Sequence, residues 1–519
     1  MNEDTKKLIA DGAPNALMGI LSDSINPLQF SQEVLAFTEE HDKILQDDRY
    51  QGRPLFKLLA DVQSTTPSDG APKDVDYDGT VKFYLDKVIE AREHGITRDH
   101  LSEAALAVLD GLHDAGYRAC LVGGAVRDML LGVAPKDFDV STDAEPEAVV
   151  EVFGRKARLI GRRFQICHVR FGREIIEVST FRADPGTAED EDDTREIDDA
   201  GRVLRDNVFG SIAEDARRRD FAINGLYWDV ADECVYDYVG ASADVAARNL
   251  CLIGDARVRY REDPVRMIRA VRIATKLGLT IDPSAEPPAD MVDLLADVPA
   301  ARLFDEVLKL LMHPAGPEVF AALRHYDLLR PMFPQTHAVL ESDAGAASEV
   351  LINTAIANTA ARIEAGKPVT PAFIFAALLW PAVRERAADL EREGMPASPA
   401  LSSAQSHVVS QQVQRVAIPK RFSIPMREIW QLQPRFHKRR GRAPNRLIPH
   451  PRFRAAYDFL LLRATAGEVE QELADWWTLV QDDPATPKPA SGTGMKKRKR
   501  RGGRRRRLHE DNEPPADDE

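Results

Sequence analysis

Cysteine is scarce. The 519 residues hold four, Cys120, Cys167, Cys234 and Cys251, and no two form a CxxC pair. That argues against a disulfide framework and against a cysteine-based zinc site, and makes a reducing cytoplasm the expected setting. Long apolar runs are also missing: no stretch approaches the ~20 consecutive apolar residues of a membrane span. The opening residues, Met1-Asn2-Glu3-Asp4-Thr5, are polar and acidic with no apolar segment behind them, so no secretory signal is expected. No internal repeat is visible. What the chain does have is charge asymmetry. Its formal net charge is −14, yet Lys496 to Arg507 reads KKRKRRGGRRRR, ten basic residues with no acidic one, which leaves −24 for the remainder. An acidic body with a compact cationic segment suggests that a polyanion is gripped by one region rather than by the whole surface.

At roughly 100–200 residues per domain, two to four domains are expected. Residues 1–95 read as an acidic extension of low structure. Within it Leu28 to Leu45 has amphipathic helical spacing, and Ser64 to Asp78 is rich in Pro, Gly, Ser and Asp. The pattern sharpens over 96–240. Leu101 to Ala115 has helical spacing, and Arg118 to Val122 is a short apolar strand that ends at Gly123-Gly124 and turns into a helical run, Ala125 to Leu131. Phe138 to Ser141, Ile166 to Phe171 and Ile175 to Phe181 read as further strands, and the very acidic Asp184 to Asp206 as a mobile loop. Beyond Ala213 nearly everything reads as helix. This order gives an α+β head followed by a helical neck (241–305), a helical body (306–482) and a disordered tail (483–519) rich in Pro, Lys, Arg and Gly.

Three strings carry chemistry. The first is Gly123-Gly124-Ala125-Val126-Arg127-Asp128, followed by Lys136-Asp137-Phe138-Asp139. Glycines at a strand-to-helix junction let backbone N–H groups approach a phosphate, and the helix N-terminus adds positive potential. Arg127 lies one turn further and can point back at the same anion. Asp137 and Asp139 alternate with Phe138, so both carboxylates face one side of a strand, where they suit Mg²⁺ held jointly with substrate phosphates. Alone, the glycine pair is a tight turn and the two aspartates a solvated strand edge. In this order they are far more specific. The second string is Arg217-Arg218-Arg219-Asp220-Phe221-Ala222-Ile223-Asn224. Its apolar Phe221 and Ile223 can anchor a helix start while Arg219, Asp220 and Asn224 face the site, although a plain basic cap is also open. The third is Glu262-Asp263-Pro264-Val265-Arg266 through Arg272. Pro264 suits a first helical turn, and Asp263, Arg266, Arg269 and Arg272 recur every three residues along one face. Asp263 and Arg266 can pair with a base edge, while Arg269 and Arg272 can meet phosphate or RNA; a solvated ion-pair ladder is the alternative.

These strings resemble the motifs of class II nucleotidyltransferases, the family of CCA-adding tRNA enzymes and bacterial poly(A) polymerases, and the similarity runs from about His100 to about Trp477. The resemblance implies a polymerase-beta-like head, a small mixed sheet with helices, followed by an all-helical neck, body and tail. It assigns Asp137 and Asp139 to metal and Asp220 to a third active-site carboxylate, for which Glu177 is an alternative. Gly124, Arg127 and Arg219, with Gly123 and Asn224 beside them, fall to the triphosphate. Asp263 and Arg266 fall to base selection, and Arg269 and Arg272 complete the nucleotide site. Leu159 to Val169, Leu204 to Ile212, the late segment from Ile418-Pro419-Lys420-Arg421-Phe422 through Trp430-Gln431-Leu432-Gln433 and Phe453 to Asp458, and the arginine-rich end look like the poly(A) branch. Ala125, where that branch often has Gly, and Ile273, where Phe is usual, depart from it.

The resemblance thus implies template-independent addition of AMP from ATP to RNA 3′ ends, in the service of RNA turnover. Two Mg²⁺ ions about 3.5–4 Å apart would be the cofactors. RNA 3′ ends of mRNA or small RNA, and RNA-decay proteins, are the expected partners of a cytoplasmic monomer that has no membrane contact. The tail residues Lys496, Lys497, Arg498, Lys499, Arg500, Arg501, Arg504, Arg505, Arg506 and Arg507 would grip RNA backbone, or serve only solubility. A CCA-adding enzyme and a catalytically inactive RNA-binding relative are the competing readings.

Overall fold

The computed structural model describes residues 88–482 except 90, 162–164, 184–194, 198–202, 207 and 344. The expected leader helix and the cationic tail lie outside the described residues. Strands β1 (Val88–Ile89), β2 (Ala119–Val122), β3 (Asp139–Thr142), β4 (Ala157–Ile160), β5 (Ile166–Phe171) and β6 (Glu174–Thr180) are followed by a separate pair, β7 (Arg195–Ile197) and β8 (Val203–Asp206). Next come β9 (Leu226–Asp229), β10 (Val235–Asp237) and a second short pair, β11 (Asn249–Leu250) with β12 (Thr280–Ile281). The eight-stranded head sheet has the order β1-β10-β9-β2-β3-β6-β5-β4. It is mixed: β3 and β6 run parallel, with Asp139 beside Glu177, while β2 is antiparallel to both neighbours.

Central strands must be apolar on both faces, and every residue of β2 and β9 is buried. The helix Glu103–Asp114 covers the sheet with Val108, Leu109 and Leu112, all fully buried; its N-terminus is capped by Ser102, whose Oγ accepts from the Ala105 N–H at 3.1 Å. Leu121, Val126, Val140, Val178, Leu226 and Trp228 belong to the same core cluster. That core fixes the ends of β2 and β3, which is where the polar residues emerge.

Two expectations need correction. Residues after Ala213 are not all helical, because β9 and β10 return to complete the head sheet. Their four- and three-residue lengths carry too few alternations to stand out against the surrounding helical pattern. The acidic segment Asp184 to Asp206 is not wholly loop either: β7 and β8 pair antiparallel within it. A third difference is local. Arg217-Arg218-Arg219 ends a helix rather than starting one. Ile212–Arg218 is opened by a Ser211/Glu214 capping box and stops at Arg219, and Ala222–Asn224 is a single tight turn. Phe221 and Ile223 are buried as anchors, as their apolarity implied.

The helical region begins with Ala256–Glu262, capped by Asp255. The chain breaks at Asp263-Pro264 and restarts as Val265–Leu277, closed by Gly278 in the left-handed conformation at φ 62°. Met267, Ile268, Ala270 and Val271 face inward, so the residues at 266, 269 and 272 are left for the other side. Ala300–Leu311 and Gly316–His325 pack nearby, and Pro371–Arg392 is buried along much of its length. Pro381 interrupts the hydrogen bonding of that last helix, and the Thr336 hydroxyl donates to the Leu378 carbonyl at 2.7 Å in the disturbed turn.

The chain divides into two compact units between Ser423 and Ile424, inside what the sequence suggested was one body. The second unit has its own aromatic core of Trp430, Phe436, Phe453 and Trp477, with the Trp477 indole donating to the Phe436 carbonyl at 2.8 Å. Among the described residues no helix is long and apolar enough to cross a membrane.

Leu121→Ala should lower stability by about 2–5 kcal/mol, because a fully buried side chain in the middle strand leaves a cavity that the sheet cannot close. A thermal melt of the purified variant checks this; an unchanged midpoint would show that the head core lies elsewhere.

Candidate active site

At the sheet edge, β2 ends in Gly123 with φ 72° and ψ −129°, a backbone conformation in which an L side chain is strained. Gly124 then opens the helix Gly124–Leu130. This junction forms one wall of a cleft of about 540 Å³. The cleft is lined by Gly123, Gly124, Arg127, Asp137, Asp139, Arg219, Asp220, Asn224, Arg269 and Arg272, all read from the sequence. Ile273, Lys276, Leu277, Lys309, Met312, His313 and Val319 complete it.

Asp137 and Asp139 are both exposed at the cleft. Strand β3 starts at Asp139, so Asp137 lies just before it rather than within it. The crowding of protein around Asp139 pushes its carboxyl up to about 6, with Glu177 on the adjoining strand and then Asp137 adding repulsion that Arg219 only partly offsets. The residue touches water yet is hemmed in by like charge, an arrangement that a cation relieves. Glu177 also lies 3.4 Å from the His168 ring nitrogen.

Arg219 is held from three directions. Its Nε donates to the Tyr227 hydroxyl at 2.7 Å, and one Nη donates to Asp215 at 3.0 Å and to Ser141 at 3.1 Å. The Tyr227 hydroxyl also donates to Asp215, at 2.6 Å. Burial works against the guanidinium charge, but Tyr227 and Asp215 outweigh it, so Arg219 stays firmly protonated beside Gly123. Sequence reasoning missed Asp215 and Tyr227. The i,i+4 spacing of Asp215 and Arg219 was visible; Tyr227 comes from β9, whose pairing was not.

Asp220, Asn224 and Arg127 form a buried polar chain. The Arg127 Nη1 donates to Asn224 Oδ1 at 2.7 Å, and the Asn224 amide donates to Asp220 Oδ1 at 3.0 Å. Arg269 donates to Asp220 Oδ2 from Nε at 2.8 Å and lies 2.5 Å away through Nη2. At the other end Arg127 pairs with Asp128. Burial alone would raise the Asp220 carboxyl; Arg269, Asn224 and the Phe221 N–H overcome it and hold the group well below the ordinary carboxylate range. Its oxygens are therefore committed to neighbours.

Asp263 and Arg266 do not line the cleft, and their side chains turn to other partners. Asp263 receives both Nη groups of Arg302, at 2.9 and 2.6 Å, and Arg266 donates to Glu262 at 2.8 Å and to the Arg259 carbonyl at 2.7 Å. Lys276, Lys309 and His313, also missed, line the same cleft, and the two lysines add positive charge beside Arg272. Lys276 continues the Arg269–Arg272 row and could have been read from spacing. Lys309 and His313 belong to a segment with no motif. Burial and then Lys276, Lys136 and Arg272 lower the basicity of His313. Among the described residues no three His, Cys, Asp or Glu side chains gather as a metal cluster. The site offers paired carboxylates, the donor set expected where Mg²⁺ takes its other ligands from phosphates and water.

The chain matches three family models: "Poly A polymerase head domain" over residues 119–251, "Probable RNA and SrmB- binding site of polymerase A" over 278–340, and "Polymerase A arginine-rich C-terminus" over 393–510. Poly(A) polymerase I of Salmonella typhi is 47% identical over 76% of this chain and 85% of its own length. A CCA-adding enzyme of Lactobacillus johnsonii is 34% identical over 42% of this chain and 52% of its own. The solved structure of the Thermotoga maritima CCA-adding enzyme with tRNA superimposes with a TM-score of 0.52 at 16% identity, covering 78% of this chain and 88% of that one; it speaks for the fold alone.

Asp139→Asn should melt at a higher temperature than the parent at pH 7.5 in the absence of divalent cations. The raised folded-state carboxyl means that the native state binds the extra proton between about 3.8 and about 6, so the parent loses stability as pH rises through that window and the amide does not. Below pH ~4 the two midpoints should converge. A constant difference across pH would sever the link to this carboxyl.

Proposed function

The chain belongs to the poly(A) polymerase family of nucleotidyltransferases, and from that membership we propose that it transfers AMP from ATP to RNA 3′ ends without a template, in the service of RNA turnover. The observation that carries the site assignment is the convergence of a glycine turn, two exposed aspartates and a fixed arginine on one cleft.

In this reading the triphosphate lies along Gly123, Gly124 and Arg219. The glycines let backbone N–H groups come close, and Arg219, pre-oriented by Asp215 and Tyr227, meets developing negative charge without rearranging. Asp137 and Asp139 would hold Mg²⁺, which when bound polarises the 3′-hydroxyl and neutralises charge on the departing pyrophosphate. Glu177 is the third carboxylate closest to Asp139 by strand register; Asp220, with its oxygens taken, acts by positioning Arg269. Arg127 and Asn224 act in the same supporting way, from beneath the glycine turn. Little covalent chemistry is asked of the protein, and the rate comes from positioning and charge neutralisation. Asp263, just before the helix Val265–Leu277, and Arg266, one turn before Arg269, would be the base-reading pair once released from Arg302, Glu262 and the Arg259 carbonyl. The cationic tail, Lys496 to Arg507, holds RNA backbone.

The test is direct. With Mg²⁺ and a generic RNA primer, ATP alone should give long ladders, and Asp139→Ala should extend none while keeping its fold by circular dichroism. A short product that needs CTP would instead identify CCA addition, and a fully active Asp139→Ala would remove the metal assignment.

Deleting residues 496–519 should leave ATP-dependent extension but shorten the products, and flatten the dependence of RNA binding on salt because fewer counterions are released. Unchanged product length and salt profile would reject the role of the tail.

A further inference from the structure

The far wall of the cleft holds one feature that the reading above does not use. Glu306, on Ala300–Leu311, is a carboxylate only 6% exposed. One oxygen accepts from Lys309 Nζ at 2.8 Å. The other lies 3.3 Å from Arg272 Nε, but the two atoms are not aligned for a hydrogen bond, and both are buried with no other partner among the described residues. A buried charge normally satisfies its atoms, and leaving a donor and an acceptor unmet within reach of each other is costly. Arg272 and Lys309 are themselves cleft residues, and Lys276 and His313 stand beside them. Glu306 therefore sits behind a cationic wall and draws charge from it without locking Arg272 in place.

We propose that Glu306 is an internal counter-anion of this wall: it competes with the phosphates of the bound polyanion for Arg272 and Lys309, and so sets how readily the cleft releases them. This rests on the reading of the cleft as the site for nucleotide and RNA. Repeated addition to one end requires the product phosphates to leave the wall after each transfer. A wall of uncompensated cations holds a polyanion too tightly for that. An attached carboxylate lowers the net charge and offers the two cations a partner to return to. Glu306 touches no substrate in this scheme. It is a positioning residue that acts through Arg272 and Lys309.

The experiment measures binding, apart from turnover. Tripolyphosphate and an oligoadenylate of about ten nucleotides would be titrated into the full chain, into Glu306→Gln and into Glu306→Asp, by calorimetry over a range of salt. Glu306→Gln keeps the shape and removes the charge, so both probes should bind about five- to tenfold more tightly, and the slope of log K against log salt should steepen by up to about one. Steady-state extension should show a lower KM together with a lower kcat. Glu306→Asp withdraws the carboxylate by one methylene and should fall between, which keeps the test alive if the glutamine variant does not fold. A carboxylate that merely props the wall would give the opposite sign: weaker binding and a raised KM in both variants. Either that result or unchanged affinity overturns the inference. If the parent chain binds neither probe, the cleft assignment itself fails, and the inference with it.

Discussion

Three separate stretches of sequence meet in one line of buried hydrogen bonds: Asp128–Arg127 beneath the glycine turn, Asn224 and Asp220 after the triple arginine, and Arg269 on the long neck helix. Arg127, Asp128 and Asn224 are buried, so an unmade bond there would leave a charge or an amide without water, while Asp220 and Arg269 close the line at the cleft. The line therefore tolerates few alternative arrangements. It fixes the turn that faces the proposed triphosphate, and it ties the head to the helix that carries the cationic wall. The other contacts of the site follow from it, because Gly124 sits over Arg127 and Arg272 lies one turn beyond Arg269.

Against this satisfied network stands a deliberately unsatisfied region. Glu177 and Asp137 crowd their charges against Asp139 at the start of β3, and Arg219, which partly offsets them there, is shared with Asp215 and Tyr227. A fold that neutralised these carboxylates internally would be more stable and would have nothing to offer a divalent ion. The division between Asp220, quenched by its neighbours, and Asp139, left repelled, is what separates a structural acid from a proposed metal ligand. Both are aspartates in motifs of similar appearance, and their environments part them.

Much of the site was legible because its chemistry demands particular residues in short order. Glycines at a strand end, alternating carboxylates and arginines every three positions each have a local reason, and the candidate residues outside the tail line the cleft apart from Asp263, Arg266 and the alternative carboxylate Glu177. Asp263 is turned to Arg302, on a helix nearly forty residues away that no spacing rule reaches, whereas Arg266 takes the local i,i+4 pairing with Glu262 and the Arg259 carbonyl. The strands β9 and β10 escaped notice for a related reason. They are too short to display a period, and they exist because β2 and the leader-end strand β1 supply partners.

By itself, then, the sequence determined the family, the order of a sheet-bearing head before helices, and the residue types able to handle phosphate and metal, because these depend on covalent neighbours and on helical or strand spacing. Tertiary structure decided which of the acids is bound by neighbours and which is crowded by like charge, brought Tyr227 and Asp215 around Arg219, and placed Lys276, Lys309 and His313 in the same cleft as the glycine turn. Charge and burial act through space, and the distance that sets their strength is known only once the chain has folded.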